Sequence, residues 1–517
     1  MEASGSKRAF LRTALGLALS VPYLCRFGRA AAAERSFDPS FGTAAEAARA
    51  IRAGVISSRE LTEHVFARIR KLNAKINAFV TLTEEQATQR AMEADAALAK
   101  GNTWGPLHGV PVLMKDLHAT AGIRTTYGSK RFEHNVPTEN TLAVARLLGA
   151  GAIIVGKTNT PEFGADHQTF NEVAGTTNNP WNVERSPGGS TGGGAAALAA
   201  GLGFLELGND LGGSIRNPSH FCGIYGHKPS FELVPRDGPL PPGMPAASRD
   251  NQWVNGPMAR SAHDLRFALG LLAGPPAPEA VAYRLELPAP RAMRLKDYRI
   301  GYVLTDPFCP PDSEVSKLLS RAVEAIGKQG ARLTEGLPAG VDLQRTHDNW
   351  FFLAVNSWYV KEEDIRKRIE SLKGLDDYYM PKVIEALSAS YHQWRLRDGG
   401  RLEARAIWQE YFRDHDAFLM PANFSAAFPH DQRKNWTERA VVTADGKRPY
   451  RDIGRWISIA TYSGCPATIA PIGRTSQGLP AGIQIMGPFL EDATPIGVAA
   501  LLADQVGGFE PPPGYAA

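Results

Sequence analysis

The chain has 517 residues, 43% of them hydrophobic and 21% charged, an ordinary globular composition that excludes disordered, collagenous and low-complexity proteins. Its formal charge of +4 sits at one end: residues 1–33 carry Lys7, Arg8, Arg12, Arg26 and Arg29 against Glu2, which leaves the remainder neutral. A neutral body with scattered charges offers no electrostatic footprint for nucleic acid or an anionic membrane surface.

The N-terminus has the form of an address. Basic residues lead into the apolar run Ala14–Val21, and the small-residue stretch Ala30–Ala33 follows. This predicts an export signal over 1–33, cleaved near Ala33, and an exported bacterial protein, periplasmic or secreted. The apolar run is too short to span a bilayer. Ser6–Arg12 resembles the twin-arginine motif with Lys7 in the first basic position, so the export route stays open between the general and twin-arginine systems. Cleavage leaves Cys222, Cys309 and Cys465. Three cysteines form no disulfide framework and their spacing fits no zinc pattern; their apolar or Gly/Pro neighbours predict small buried hydrophobes.

From about Thr43 to Lys100 the periodicity predicts helix, with Leu61, Val65, Ile69 and Leu72 on one face. Val110–Asp116 then reads as a buried strand that delivers Lys115 and Asp116 at its tip. Leu142–Leu148 reads as a helix ended by Gly149, and Ala152–Gly156 as the next strand, a unit that implies partly parallel pairing. Residues 188–213 hold ten glycines in 26 positions. They flank the helical Ala195–Ala200 and the strand-like Phe204–Leu207, so they mark tight boundaries rather than a flexible linker. Gly274–Pro290 reads as a linker or surface excursion, Tyr298–Val303 as a strand, and Val315–Ile326 as a helix capped by Asp312 or Ser313. Residues 350–420 look helical and rich in aromatics. Pro466–Pro471 and Ala481–Gly487 supply two more apolar strands before an Ala/Leu helix.

Three polar side chains lie where buried elements meet glycine-rich turns: Lys115 at a strand end, Ser190 before an Ala-rich helix, and Ser214 after a strand. A serine hydroxyl needs a base to become a nucleophile, and a lysine can serve when burial keeps it neutral. The Leu211-Gly212-Gly213-Ser214 turn can aim several backbone N–H groups at one oxyanion.

The segments Gly109–Asp116, Gly156–Gly164, Gly188–Gly201, Gly208–Arg216, Gly223–Pro229 and Gly256–Ser261 together resemble the amidase signature family. Separations of 75 residues from Lys115 to Ser190 and 24 from Ser190 to Ser214 fit that family's arrangement. The likeness spans about 43–505. It implies a single large α/β domain over 34–517, with a central mixed sheet covered by helices on both faces, and a variable, aromatic-rich substrate region at about 350–440. By the same resemblance Ser214 is the nucleophile, Ser190, following a cis peptide, relays protons, and Lys115 is the base. The N–H groups of Leu211, Gly212, Gly213 and Ser214 form the oxyanion hole, with Asp210, Arg216 and Thr191 as supports. No metal or organic cofactor is implied, and the partner is a small-molecule amide; a homodimer is left open.

Three positions depart from the family pattern: Thr191 replaces a second Ser, Gly194 stands where Ser or an acidic residue is common, and Asn209 replaces Thr. The competing pattern is G-x-S-x-G at Gly188–Gly192, a nucleophile elbow that would make Ser190 the nucleophile. It would need a preceding strand and a histidine, for which His347, His392, His415 and His430 are the candidates. Asp414-His415-Asp416 reads as a solvated face rather than a metal site. The remaining alternatives are the amidase subunit of a glutamine-dependent amidotransferase and a catalytically silent exported binding protein of the same fold.

Overall fold

The apolar segments pair into one 11-stranded mixed sheet. The computed structural model describes residues 37–238, 240–243, 252–357, 362–375 and 377–516; the expected signal over 1–33 lies outside them. Residues 38–517 form one unit. In chain order the strands are β1 Phe79–Leu82, β2 Pro111–Lys115, β3 Ile153–Thr158, β4 Leu205–Asp210, β5 Tyr225–Lys228, β6 Val254–Ala259, β7 Arg299–Tyr302, β8 Arg332–Glu335, β9 Ala417–Pro421, β10 Ala467–Arg474 and β11 Pro480–Met486. Across the sheet they run β1-β3-β2-β4-β6-β5-β10-β11-β9-β7-β8. β2 is parallel to both β3 and β4, whereas β4–β6 and β10–β11 are antiparallel. Every residue of β2 and β3 is buried, as continuous apolar runs require when a parallel sheet is covered on both faces.

Helices flank the sheet. The Ala-rich Gly192–Ala199 helix packs on β4 and β2, and the Ala493–Val506 helix on β10 and β11. The predicted Asp312 cap is present: its side chain accepts from Val315 N at 2.8 Å and opens the Ser313–Lys328 helix. The aromatic region folds into the helices Leu343–Val355, Glu362–Leu372, Met380–Ser388 and Tyr391–Asp414. Cys222, Cys309 and Cys465 are buried free thiols, and burial pushes each thiol pKa up.

The structure corrects the sequence reading in several places. The stretch from Thr43 to Lys100 is three helices interrupted by β1, which pairs with β3 through a register shift and is too short to show alternation. β9 follows the end of the Tyr391–Asp414 helix inside the stretch read as helical. β5 is masked by its polar residues, because His227 is satisfied by Thr468 and Asp492 at 2.9 and 3.0 Å. Asp416 is not solvated: it is buried and paired with Arg299 at 2.9 Å and Arg291 at 3.4 Å.

Candidate active site

β2 and β4 are parallel neighbours, and Lys115 and Asp210 are their last residues. The carboxyl edge of parallel strands is where open α/β sheets present their ligand sites. Ser190 precedes the Gly192–Ala199 helix by two residues, across a cis Gly189–Ser190 peptide. Ser214 lies in the turn between β4 and the Arg216–Cys222 helix. A backbone hydrogen bond from Thr191 N to Ser214 O, 3.1 Å, draws the two serine segments together.

Lys115 is fully buried, and its Nζ meets three oxygens: Ser190 Oγ at 2.6 Å, Asn209 Oδ1 at 2.6 Å and Thr191 Oγ1 at 3.0 Å. Burial lowers its pKa to about 7, against the opposing charges of Glu206 and Asp210. A protonated amine donates to all three oxygens. A neutral one has two N–H groups and a lone pair; with Asn209 and Thr191 accepting the two N–H groups, the lone pair faces the Ser190 hydroxyl. Ser190 is 1% exposed and Ser214 8%. The Ser214 Oγ has no hydrogen-bond partner among the described residues, so the serine nearer solvent carries the unengaged hydroxyl.

The turn that carries Ser214 is clamped from below. Asp210 accepts from Gly213 N at 3.0 Å, Ile215 N at 3.1 Å and Arg216 N at 3.3 Å. Arg216 closes the clamp with two bonds to that carboxylate, at 2.7 and 3.0 Å, and reaches Gln484, Thr461 and Ile457 O with the rest of its fork. Burial alone would raise the Asp210 pKa, but the charge and hydrogen bonds of Arg216 overcome it and hold the carboxyl at about 2. Asp210 and Arg216 thus tie the turn to one another and to the surrounding core. Thr191 does more than support, since it contacts Lys115 directly.

The expected oxyanion hole loses one donor. Gly213, at φ +88°, turns its N–H back to Asp210 rather than leaving it for a ligand. The N–H groups of Leu211, Gly212 and Ser214 have no acceptor among the described residues. Trp350 Nε1 pins the outer side of the turn through Leu211 O at 3.2 Å.

Two neighbours of the site escaped the sequence reading. Asn209 was visible only as a departure from a pattern; parallel pairing of β2 and β4 makes it a partner of Lys115. Glu206 lies mid-strand in β4, 1% exposed, and accepts from Thr158 Oγ1 at 2.8 Å. Burial raises its pKa to about 8. A Cβ on Gly194 would fall 2.3 Å from Glu206 Cδ, so the glycine makes room for this carboxyl. No strand runs directly into Ser190, and its hydrogen-bond partner is Lys115, not a histidine, which removes the nucleophile elbow. His347 instead stacks on Phe351.

Known proteins resemble the chain over most of its length. Residues 60–495 match the family model described as Amidase. The chain belongs to the amidase family. It is 32% identical over 465 residues to an acylamidase of Rhodococcus erythropolis, covering 89% of this chain and 94% of the relative. It is 34% identical to a glutamyl-tRNA(Gln) amidotransferase subunit of Thermosynechococcus vestitus, over 86% and 93% of the two chains. A solved bacterial aryl acylamidase of the amidase signature family superposes with a TM-score of 0.76 at 25% identity, covering 90% of this chain and 97% of that one. The chain is accordingly a hydrolase of amide carbon–nitrogen bonds. Among the described residues no helix is long and apolar enough to cross a membrane.

Proposed function

We propose that this amidase hydrolyses a small-molecule amide through an acyl-enzyme on Ser214, with Ser190 as proton relay and Lys115 as base. The observation that carries the proposal is the buried Lys115 Nζ, 2.6 Å from Ser190 Oγ, with Asn209 and Thr191 as neutral acceptors beside it. Neutral Lys115 takes the Ser190 proton as Ser190 takes that of Ser214, and Ser214 Oγ attacks the carbonyl carbon. The N–H groups of Leu211, Gly212 and Ser214 receive the oxyanion. The proton returns through Ser190 to the leaving nitrogen as the C–N bond breaks, and water, deprotonated by the same path, releases the acid. Esters fit the same oxyanion site.

A fluorophosphonate serine probe tests this by intact mass and peptide mapping. The expected result is a single adduct on Ser214, lost in Lys115→Ala at unchanged melting temperature. An adduct on Ser190, or none, would overturn the assignment, and the latter would favour a silent binding protein.

The amidotransferase reading has one observation in its favour, the similarity to glutamyl-tRNA(Gln) amidotransferase chains. The 1–33 leader favours an exported, periplasmic or secreted enzyme cleaved near Ala33, a compartment in which charged tRNA is absent. N-terminal sequencing of the mature protein, with cell fractionation, separates the two.

A further inference from the structure

The segment 439–455 brings four arginines to the side of the site built by the aromatic helices, and their partners differ. Arg439 is paired with Asp166 at 2.6 Å, Arg448 with Asp452 at 2.9 Å, and Arg455 with the same Asp452 at 2.8 Å. Arg451 makes no hydrogen bond or ion pair among the described residues. Its Nε is buried without a hydrogen-bond partner among the described residues, and burial lowers its pKa to about 10 against the more distant charges of Asp377 and Asp166. Its guanidinium carbon instead lies over aromatic rings, 5.0 Å from Trp436, 5.7 Å from Phe351 and 5.8 Å from Tyr379. Ring faces attract a cation but accept few of its five directional N–H bonds. A half-buried guanidinium left in that state is costly unless an anion completes it.

Arg451 is also near the chemistry. Trp350, which holds Leu211 O, lies 3.5 Å from where a Cβ on Gly212 would sit. Its ring is 6.3 Å from that of Phe351, the ring beneath Arg451. Two aromatic rings, Phe351 and Trp350, therefore link the unpaired guanidinium to the turn that carries Ser214. We propose that Arg451 is the specificity-determining residue of an anion subsite, and that the preferred substrates are amides bearing a carboxylate. The proposal rests on the Ser214 site assigned above. A planar guanidinium suits a planar carboxylate, which it can bind through two parallel bonds. The aromatic floor suits a substrate whose carboxylate is carried on a flat or apolar body.

Two matched pairs of substrates test this, each differing only in charge: 4-acetamidobenzoate against its methyl ester, and succinanilic acid against its methyl ester. Amide cleavage is followed at initial rates by release of aniline, 4-aminobenzoate or methyl 4-aminobenzoate, with the ester group checked by chromatography so that no ester has been converted to its acid. The expected result is a kcat/KM preference for the anionic member of at least one pair, on the order of 10- to 100-fold and expressed mainly in KM. Arg451→Gln should reduce that ratio to about one, and Arg451→Lys, which keeps the charge but not the fork, should leave an intermediate ratio. Equal kcat/KM within both pairs, or a preference that survives in Arg451→Gln, overturns the anion subsite and leaves the amidase mechanism standing. Absence of both turnover and fluorophosphonate labelling at Ser214 overturns the mechanism and the subsite with it.

Discussion

Asn209→Asp places a charge on a contact of Lys115 where this chain departs from the family pattern. The substitution keeps the shape of the side chain and puts a carboxylate where Oδ1 now lies 2.6 Å from Nζ. At that distance and an effective dielectric of about 20, opposite unit charges attract by about 6 kcal/mol. Each pKa unit corresponds to about 1.36 kcal/mol, so even after the cost of burying the new carboxylate beside Asp210 the Lys115 pKa should rise by about two units or more. The sign follows from the role proposed for Lys115: the base works when neutral, and its pKa of about 7 predicts that kcat/KM rises with pH through about 7 in the wild type. In the variant that limb moves to about 9 or above, and at pH 7 activity falls by about 50-fold or more. The assay is the pH profile of anilide hydrolysis between pH 5 and 10, with a melting curve at each end to confirm folding. A limb that stays near 7, or a variant at full rate at pH 7, would refute Lys115 as the base.

Gly194→Ala sets a Cβ 2.3 Å from Glu206 Cδ and should destabilise the protein by about 1–3 kcal/mol; adding Glu206→Ala should recover part of the loss, a non-additivity that denaturant titration of the double-mutant cycle measures. Asp210→Asn leaves the buried Arg216 guanidinium without its charge partner and loosens the turn, at a cost of about 3–5 kcal/mol read by thermal melting. Because the Asp210 pKa is depressed from 3.8 to about 2, its contribution is complete above about pH 4 and is lost as pH falls through about 2. A wild-type acid-unfolding curve that loses this stability nearer neutrality would contradict the clamp.

The sequence made the positions of Lys115, Ser190 and Ser214 legible because glycine-rich turns and apolar runs mark strand and helix ends directly. Their partners were not legible, since partnership depends on which strands lie side by side. Asn209 and Thr191 are 94 and 76 residues from Lys115, and parallel pairing of β2 with β4 brings Asn209 in. Glu206 alternates with Leu205 and Leu207 as a half-exposed strand residue would, and its burial appears once a helix with glycine at 194 closes over it. Arg451 is one of several arginines in a polar stretch; its lack of a partner is visible only when the partners of Arg439, Arg448 and Arg455 are known. The strands β5 and β6 were hidden for a local reason, their His, Lys, Gly and Pro content, which tertiary partners tolerate and propensity does not.

The end of β4 also explains how one buried site holds two neighbouring polar residues to opposite electrical tasks. Successive side chains of a strand point to opposite faces, so Asn209 is directed to Lys115 while Asp210 is directed to Arg216. Burial disfavours charge on both the lysine and the aspartate. The aspartate remains ionised because a guanidinium and three backbone N–H groups surround it. The lysine is lowered to about 7 by burial, and the three oxygens its amine touches, all neutral, add no charge to oppose that. A carboxylate at 209 would surrender the neutral base, and an amide at 210 would surrender the clamp, so the order Asn-Asp, rather than the presence of either residue, is what the chemistry at Ser214 requires.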